Sequence, residues 1–182
     1  MRIIGIDPGL RNTGWGVIEF NSNKLIHVDD GRICPPTSSS IGERLLFLTN
    51  KLTFIIEKYN PNVSAIEQIF VGPGTGSSLK LGMARGVSIL VLAKAGLSIK
   101  ELSPKLVKKT VTGYGSASKD QIKSMIEKLL NIVPKNEDSS DALAIAISAQ
   151  HIGSNNISSE LLEDYNGLNS AIAKALLKEK NV

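Results

Sequence analysis

Three apolar stretches, residues 2–7, 13–20 and 24–34, occupy the start of this chain, and the turns between them are too short to hold a helix. Parallel strands need a crossover of a dozen or more residues, so these three can pair only as an antiparallel meander. The first stretch ends oddly. Ile3, Ile4 and Ile6 read as a buried strand, yet Asp7 follows them before Pro8-Gly9 turns the chain. A carboxylate at the tip of a buried strand needs a reason.

From Ile41 the period changes. Apolar residues at 41, 45, 48, 52, 55 and 56 predict a helix over 41–59. "VSAIE" at 63–67 is a short strand, 78–95 an unusually apolar helix, and 97–102 a fifth strand. Three further helices are expected over 103–110, 118–130 and 139–151, with Ser118 and Asp120 both suited to cap the second. The order βββαβαβ with trailing helices is an α/β fold, half antiparallel and half parallel. "GSNNISS" at 153–159 is a polar linker. Beyond it Gly167 and Asn169 interrupt a loose apolar pattern, so residues 156–182 are expected to be a tail with a short or frayed helix, and 1–155 the domain.

With 182 residues, one domain is the default. Cys34 is the only cysteine, which excludes an internal disulfide. There is no apolar leader segment and no run approaching the roughly 20 residues that span a bilayer, so a cytoplasmic protein without membrane attachment is expected. The net charge of +4 is a mild bias toward polyanions that many proteins share.

In open α/β sheets, ligands sit beyond the carboxyl ends of the parallel strands. Asp7 ends the first strand and Glu67 the fourth, so adjacent placement would bring two carboxylates to one edge. "EDSSDALAIAISAQH" supplies more. Asp138 and Asp141 are spaced i, i+3, and Ala142, Ile145 and Ala149 continue that face with residues small enough to lie close on a sheet. Glu137, at i, i+4 from Asp141, is a rival to Asp138. Each acid has an ordinary reading alone: Asp7 as a turn residue, Glu67 as a solvated strand end, Asp138 as a helix cap, Asp141 as support for the helix dipole. Convergence is harder to dismiss. Clustered carboxylates raise one another's pKa values unless a cation neutralises them, and oxygen ligands suit hard divalent ions, Mg²⁺ above all.

With these residues in view, the chain resembles the RuvC family of crossover (Holliday) junction endodeoxyribonucleases. "GIDPGLRNTGWGVI", "AIEQIF", "SSLKLGMARGV", "VKKTVTGYGSASKDQI" and "DSSDALAIAI" occur in the family's order and spacing, over about residues 1–151. The resemblance implies an RNase H-like fold, a mixed sheet of order 3-2-1-4-5, and paired nicking of four-way DNA junctions by a homodimer. It implies Mg²⁺ as cofactor, two ions per subunit with Mn²⁺ able to substitute. It carries catalytic and metal-holding roles onto Asp7, Glu67, Asp138 and Asp141. The RuvA-RuvB branch-migration complex is the further partner it implies.

Candidate phosphate contacts are Arg11, Arg85, Lys105, Lys108, Lys109, Lys119 and Lys123; the resemblance favours Lys108 and Lys119, and Lys123 fits a solvated helix face. Phe70, in the loop after Glu67, is expected to stack on a splayed base rather than pack beneath that loop. "GPGTGSS" lacks the lysine of a nucleotide-binding loop. His27 has no visible partner, and His151 lies too far along its helix to join the acids. Gly82 and Gly86, one turn apart, are expected to admit a partner's backbone at a dimer interface, the alternative being packing on this chain's own sheet. Other classes fare worse. An actin-like ATPase needs two such domains, an RNA-directed nuclease would require a 2′-hydroxyl, and a non-catalytic junction binder gains nothing from carboxylates beside phosphates.

Overall fold

A computed structural model describes residues 1–69 and 76–154. Met1–Gln150 form one compact unit. Its elements run β1 (Arg2–Asp7), β2 (Thr13–Asn21), β3 (Lys24–Ile33), α1 (Ile41–Tyr59), β4 (Val63–Glu67), α2 (Gly76–Lys94), β5 (Ser98–Leu102), α3 (Pro104–Thr112) and α4 (Lys119–Leu130). α5 (Glu137–Ser154) runs on past that unit. The five strands form one sheet of order β3-β2-β1-β4-β5. β1–β2 and β2–β3 pair antiparallel, while β1–β4 and β4–β5 pair parallel. Both halves of the expected sheet are therefore present.

Local chemistry explains the boundaries. Ser40 and Ser118 head α1 and α4 with full capping boxes to Glu43 and Gln121, so Ser118, not Asp120, is the cap of α4. Ser103 caps α3, Pro104 takes its first position, and Gly113 ends it at φ 84°. That glycine lets α3 run two residues beyond the expected Thr110. α5 begins at Glu137, not Ser139, because Asn136 caps it. The Asn136 Oδ1 accepts from the Ser139 amide at 3.0 Å, and the Asn136 amide donates back to Ser139 Oγ at 3.2 Å. Asp138 thus lies inside the first turn, and the capping role belongs to another residue.

Strand side chains alternate between faces. Ile4 and Ile6 of β1 join Trp15, Val17 and Ile66 in a core filled by Leu48, Leu52, Ile55 and Ile56 of α1 and Val91 and Leu92 of α2. The opposite face carries Gly5 and Asp7. Here α5 lies against bare backbone. A β-carbon on Gly5 would sit 2.1 Å from the Ala142 carbonyl oxygen, one on Gly14 would sit 2.0 Å from the Asp138 carbonyl oxygen, and one on Gly16 would sit 2.8 Å from the Leu143 side chain. Gly5 and Gly16 are cross-strand partners, as are Asp7 and Gly14. The three glycines make a continuous trough across β1 and β2, and α5 fills it.

This docking predicts a contrast between glycines. Gly5→Ala is expected to cost at least ~2 kcal/mol, since a core that cannot take one more methyl must move backbone. Gly42→Ala on α1, where an added β-carbon meets nothing within 4 Å, should change stability by under ~1 kcal/mol. Urea denaturation midpoints of the two variants test this.

Candidate active site

Parallel pairing puts Ile6 opposite Ile66, so the next residues in register are Asp7 and Glu67. Both stand at carboxyl ends of neighbouring strands, on the α5 side. The turn after Asp7 is knitted by Thr13, whose hydroxyl donates to the Gly9 carbonyl at 2.7 Å and accepts from the Gly9 amide at 3.2 Å. Thr13 is fully buried, so the strand tip is fixed from beneath. α5 brings Asp141 across the trough, and together Asp7, Glu67 and Asp141 line a recess of about 220 Å³. Pro104, Val107, Ile122 and Ala144 form its apolar wall, and Lys108 and Lys119 its basic rim.

Asp138 sits differently. It faces a neighbouring depression and approaches Arg32 of β3, NH1 to carboxylate oxygen, at 3.7 Å. It remains near enough for its charge to act on Asp7. Glu137, the rival, lines a separate small recess beside Lys123 and Asp141. Lys119 Nζ donates to Asp141 at 3.1 Å, so each α5 aspartate already has a cation.

The electrostatics are those of crowded acids. Burial first, then the charges of Glu67, Asp141 and Asp138, push Asp7 up to about 7. Glu67 is raised by burial and by Asp141. Lys119 is held in its charged form by the bond it donates to Asp141. Among the described residues, no three His, Cys, Asp or Glu side chains stand close enough together to hold an ion as they are. The donor set is nonetheless all carboxylate oxygen, and a buried acid pushed to about 7 calls for a hard cation, so the residues fit a divalent metal by chemistry.

The remaining expected site residues divide. Arg85 is tied inward: Nε donates to the Glu67 carbonyl at 3.2 Å and the guanidinium pairs with Glu101 of β5. It braces the strand end that carries Glu67. Gly82 and Gly86 do not pack on this chain's own sheet, because a β-carbon on either meets nothing within 4 Å. Phe70 and residues 156–182 lie outside the described residues.

One cluster escaped the sequence reading. His27, expected to lack a partner, meets buried Asp30 at 2.9 Å. The other Asp30 oxygen accepts from the Lys135 amide at 2.9 Å, and Lys135 Nζ reaches Asp29 at 2.5 Å. Tyr59 of α1 also donates to Asp29. This ties β3 to the loop that delivers Asn136 and the head of α5. Burial raises Asp29, but its bonds from Lys135, Tyr59 and the Asp30 amide outweigh that and hold it at about 2. The only sequence signal was the Asp29-Asp30 pair itself, on a strand that should prefer neither residue.

A carboxylate-lined recess at the carboxyl ends of β1 and β4, with a basic rim, on a 3-2-1-4-5 sheet defines an RNase H-like nuclease. The family model described as crossover junction endodeoxyribonuclease RuvC matches residues 3–149. The chain belongs to that family. A relative named crossover junction endodeoxyribonuclease RuvC from Ruegeria pomeroyi is 50% identical over 155 residues, covering 85% of this chain and 93% of the relative. Its counterpart from Rhodopseudomonas palustris is 47% identical over 152 residues, covering 83% and 87%. Among solved structures, T. thermophilus RuvC in complex with Holliday junction substrate matches with a TM-score of 0.76 at 25% identity, over 81% of this chain and 92% of that one. Among the described residues, no helix is long and apolar enough to cross a membrane.

The pKa shifts predict how stability depends on pH without divalent metal. Asp7 has a native pKa above its unfolded value of 3.8, so its ionisation opposes folding. Stability should fall as pH rises from about 4 to about 7, by an amount on the order of 4 kcal/mol. Asp29 is depressed, so its contribution is present above pH 4 and lost on acidification toward 2. Urea titrations in chelator should therefore peak near pH 4, and Asp7→Asn should flatten the decline above it. A wild-type curve that rises from pH 4 to 7 would contradict the assignment.

Proposed function

We propose that this chain is a Holliday junction resolvase, an endonuclease that makes paired nicks in four-way DNA junctions during recombination and repair. The convergence of Asp7, Glu67 and Asp141 in one recess rimmed by Lys108 and Lys119 carries the reading. A binding module would place cations, not three acids, where phosphates arrive. Membership of the RuvC family supplies the substrate class.

A phosphodiester resists hydrolysis because negative oxygens shield its phosphorus. Mg²⁺, when bound, offsets that charge and lowers the pKa of a coordinated water. Asp7, Glu67, Asp138 and Asp141 are the residues that would hold it, two ions per subunit, with Mn²⁺ able to substitute. Asp7 belongs at the centre of this set because a strand inside a sheet fixes a ligand more rigidly than a loop. Lys108 and Lys119 grip the strand through its phosphates, which positions it without reading bases. The apolar wall of Val107, Ile122 and Ala144 keeps bulk water from one side of the recess. Phe70, next in the chain after this strand's loop begins, stacks on a splayed base at the crossover. A resolvase of chromosomal junctions would act in the cytoplasm, together with a RuvA-RuvB branch-migration complex.

A junction has near two-fold symmetry, so a C2 dimer presents two sites to two opposed strands. α2 is the proposed interface. Leu79 and Leu90 are 64% and 56% exposed on it, and the open space over Gly82 and Gly86 admits a second backbone. Gly86→Arg should give a folded monomer that nicks one strand at a time; wild type sedimenting as a monomer while cutting in pairs would remove the interface.

The decisive assay is a synthetic four-way junction with Mg²⁺, resolved on a denaturing gel. Asp7→Asn, Glu67→Gln and Asp141→Asn should each lower cleavage by at least about 100-fold while keeping junction affinity within about threefold, since binding comes from phosphate contacts. Near-normal cleavage by Asp7→Asn would overturn the assignment.

A further inference from the structure

A second and larger recess, of about 560 Å³, adjoins the acid recess and, Asp138 apart, is lined by residues with no role in the chemistry above. The two share the head of α5: Asp141 lines one and Asp138, a turn earlier, lines the other. They also share the β1–β2 turn, with Asp7 in the first recess and Gly9 to Asn12 in the second. Three cations face the larger recess from three different elements: Arg11 from that turn, Arg44 from α1 and Lys80 from α2. The single acid among its described lining residues is Asp138, whose carboxylate is turned to Arg32 at 3.7 Å. Arg44 is fixed, its Nη2 donating to the Leu10 carbonyl at 2.9 Å while its Nε is buried without a partner among the described residues. Arg11 and Lys80 are exposed and able to move.

Cations gathered from separate elements around one hollow repel one another, and an anion relieves that repulsion. A recess lined mostly by one sign of charge also concentrates its field. Besides the cations, the described lining residues offer Asn12 and Thr37 as small polar groups and no aromatic side chain. That is equipment for phosphates, not for bases. A DNA strand carries one phosphate per ~3.4 Å of duplex axis, so a strand with one phosphate at the acids brings the next few to the flanking surface. Lys108 and Lys119 receive it on one flank. We propose that the Arg11–Arg44–Lys80 recess is a second backbone-binding site, seating phosphates of the same strand where it leaves the acids on the other flank. This rests on the nuclease reading and extends it: the cleaved bond would be held taut between two basic sites.

The test is a salt titration of junction binding by full-length protein in chelator, where no cutting occurs. Arg11→Ala combined with Lys80→Ala should lower the slope of log affinity against log salt by about 1.8, near 0.9 for each lost contact. Lys24→Ala, at the far hairpin beyond the opposite end of β1, removes a charge without touching the recess and should leave the slope unchanged. Lys80→Arg in the Arg11→Ala background keeps the charge at position 80 and should show only about half the slope loss of the double-alanine variant. Ethylation interference should lose phosphates on one side of the nick in the double variant and retain those on the Lys108 side. A wild-type slope in the double variant, or a loss matched by Lys24→Ala, overturns the recess alone if wild type still nicks junctions. Failure of wild type to bind or nick junctions overturns the nuclease reading with it.

Discussion

Everything at the chemical end of this protein depends on how closely α5 lies on the sheet. The distance is set by what Gly5, Gly14 and Gly16 lack. With no side chains between them, helix backbone meets strand backbone, and the Ala142 and Ala146 positions keep the helix side equally thin. Asp138 and Asp141 are carried on the first turns of that helix, so their height above Asp7 follows from it. Any residue larger than glycine at these positions would lift the helix and both acids together. Anchors along α5 oppose such movement: the Lys135 link to Asp29 and Asp30 ahead of its head, the Asn136 cap, and Lys100 Nζ donating to the Ala149 carbonyl at 2.8 Å.

The two faces of the sheet divide the work. Large aliphatic side chains of β1, β2 and β4 meet α1 and α2, and burial there supplies the hydrophobic stabilisation. The other face, with its glycines and alanines under α5, carries an acidic cluster whose ionisation opposes folding. A rigid apolar core on one side is what lets the opposite face hold Asp7 in so unfavourable a setting.

Much of this was legible because the signals were periodic or compositional. Strand β1 and helix α1 have the bounds their patterns predict, since burial on one face dictates which residues are apolar. The acids at 7 and 67 stood out as charges where apolar runs end, and Asp141 as one that leads an apolar helix face. What was not legible depends on side-chain partners far apart in sequence. In "NEDSSD" Asn, Asp and Ser could all cap a helix, and nothing local says that Asn136 does. Arg85 looked like a phosphate contact until Glu101, from a different strand, was found beside it. The partner of His27 lies three residues away, on the opposite face of a regular strand, but an irregularity at Val28, skipped in the register opposite Val17 and Ile18, changes that alternation, which no local pattern announces. The basic recess is assembled from residues 11, 44 and 80, a juxtaposition no spacing rule reveals.

The ion pair between Lys119 and Asp141 has one more consequence. A lysine that neutralises an acid cannot at the same moment neutralise a phosphate. Any divalent ion that takes Asp141 sets Lys119 loose, and any phosphate that takes Lys119 leaves Asp141 wanting a cation. The two ligands therefore clear the way for each other, and the coupling is reciprocal by thermodynamic necessity. Arg32 and Asp138 repeat the arrangement a turn earlier. Such resident counter-ions make each arrival at the acids or at the lysine a displacement, so the charge near the acids stays balanced before and after.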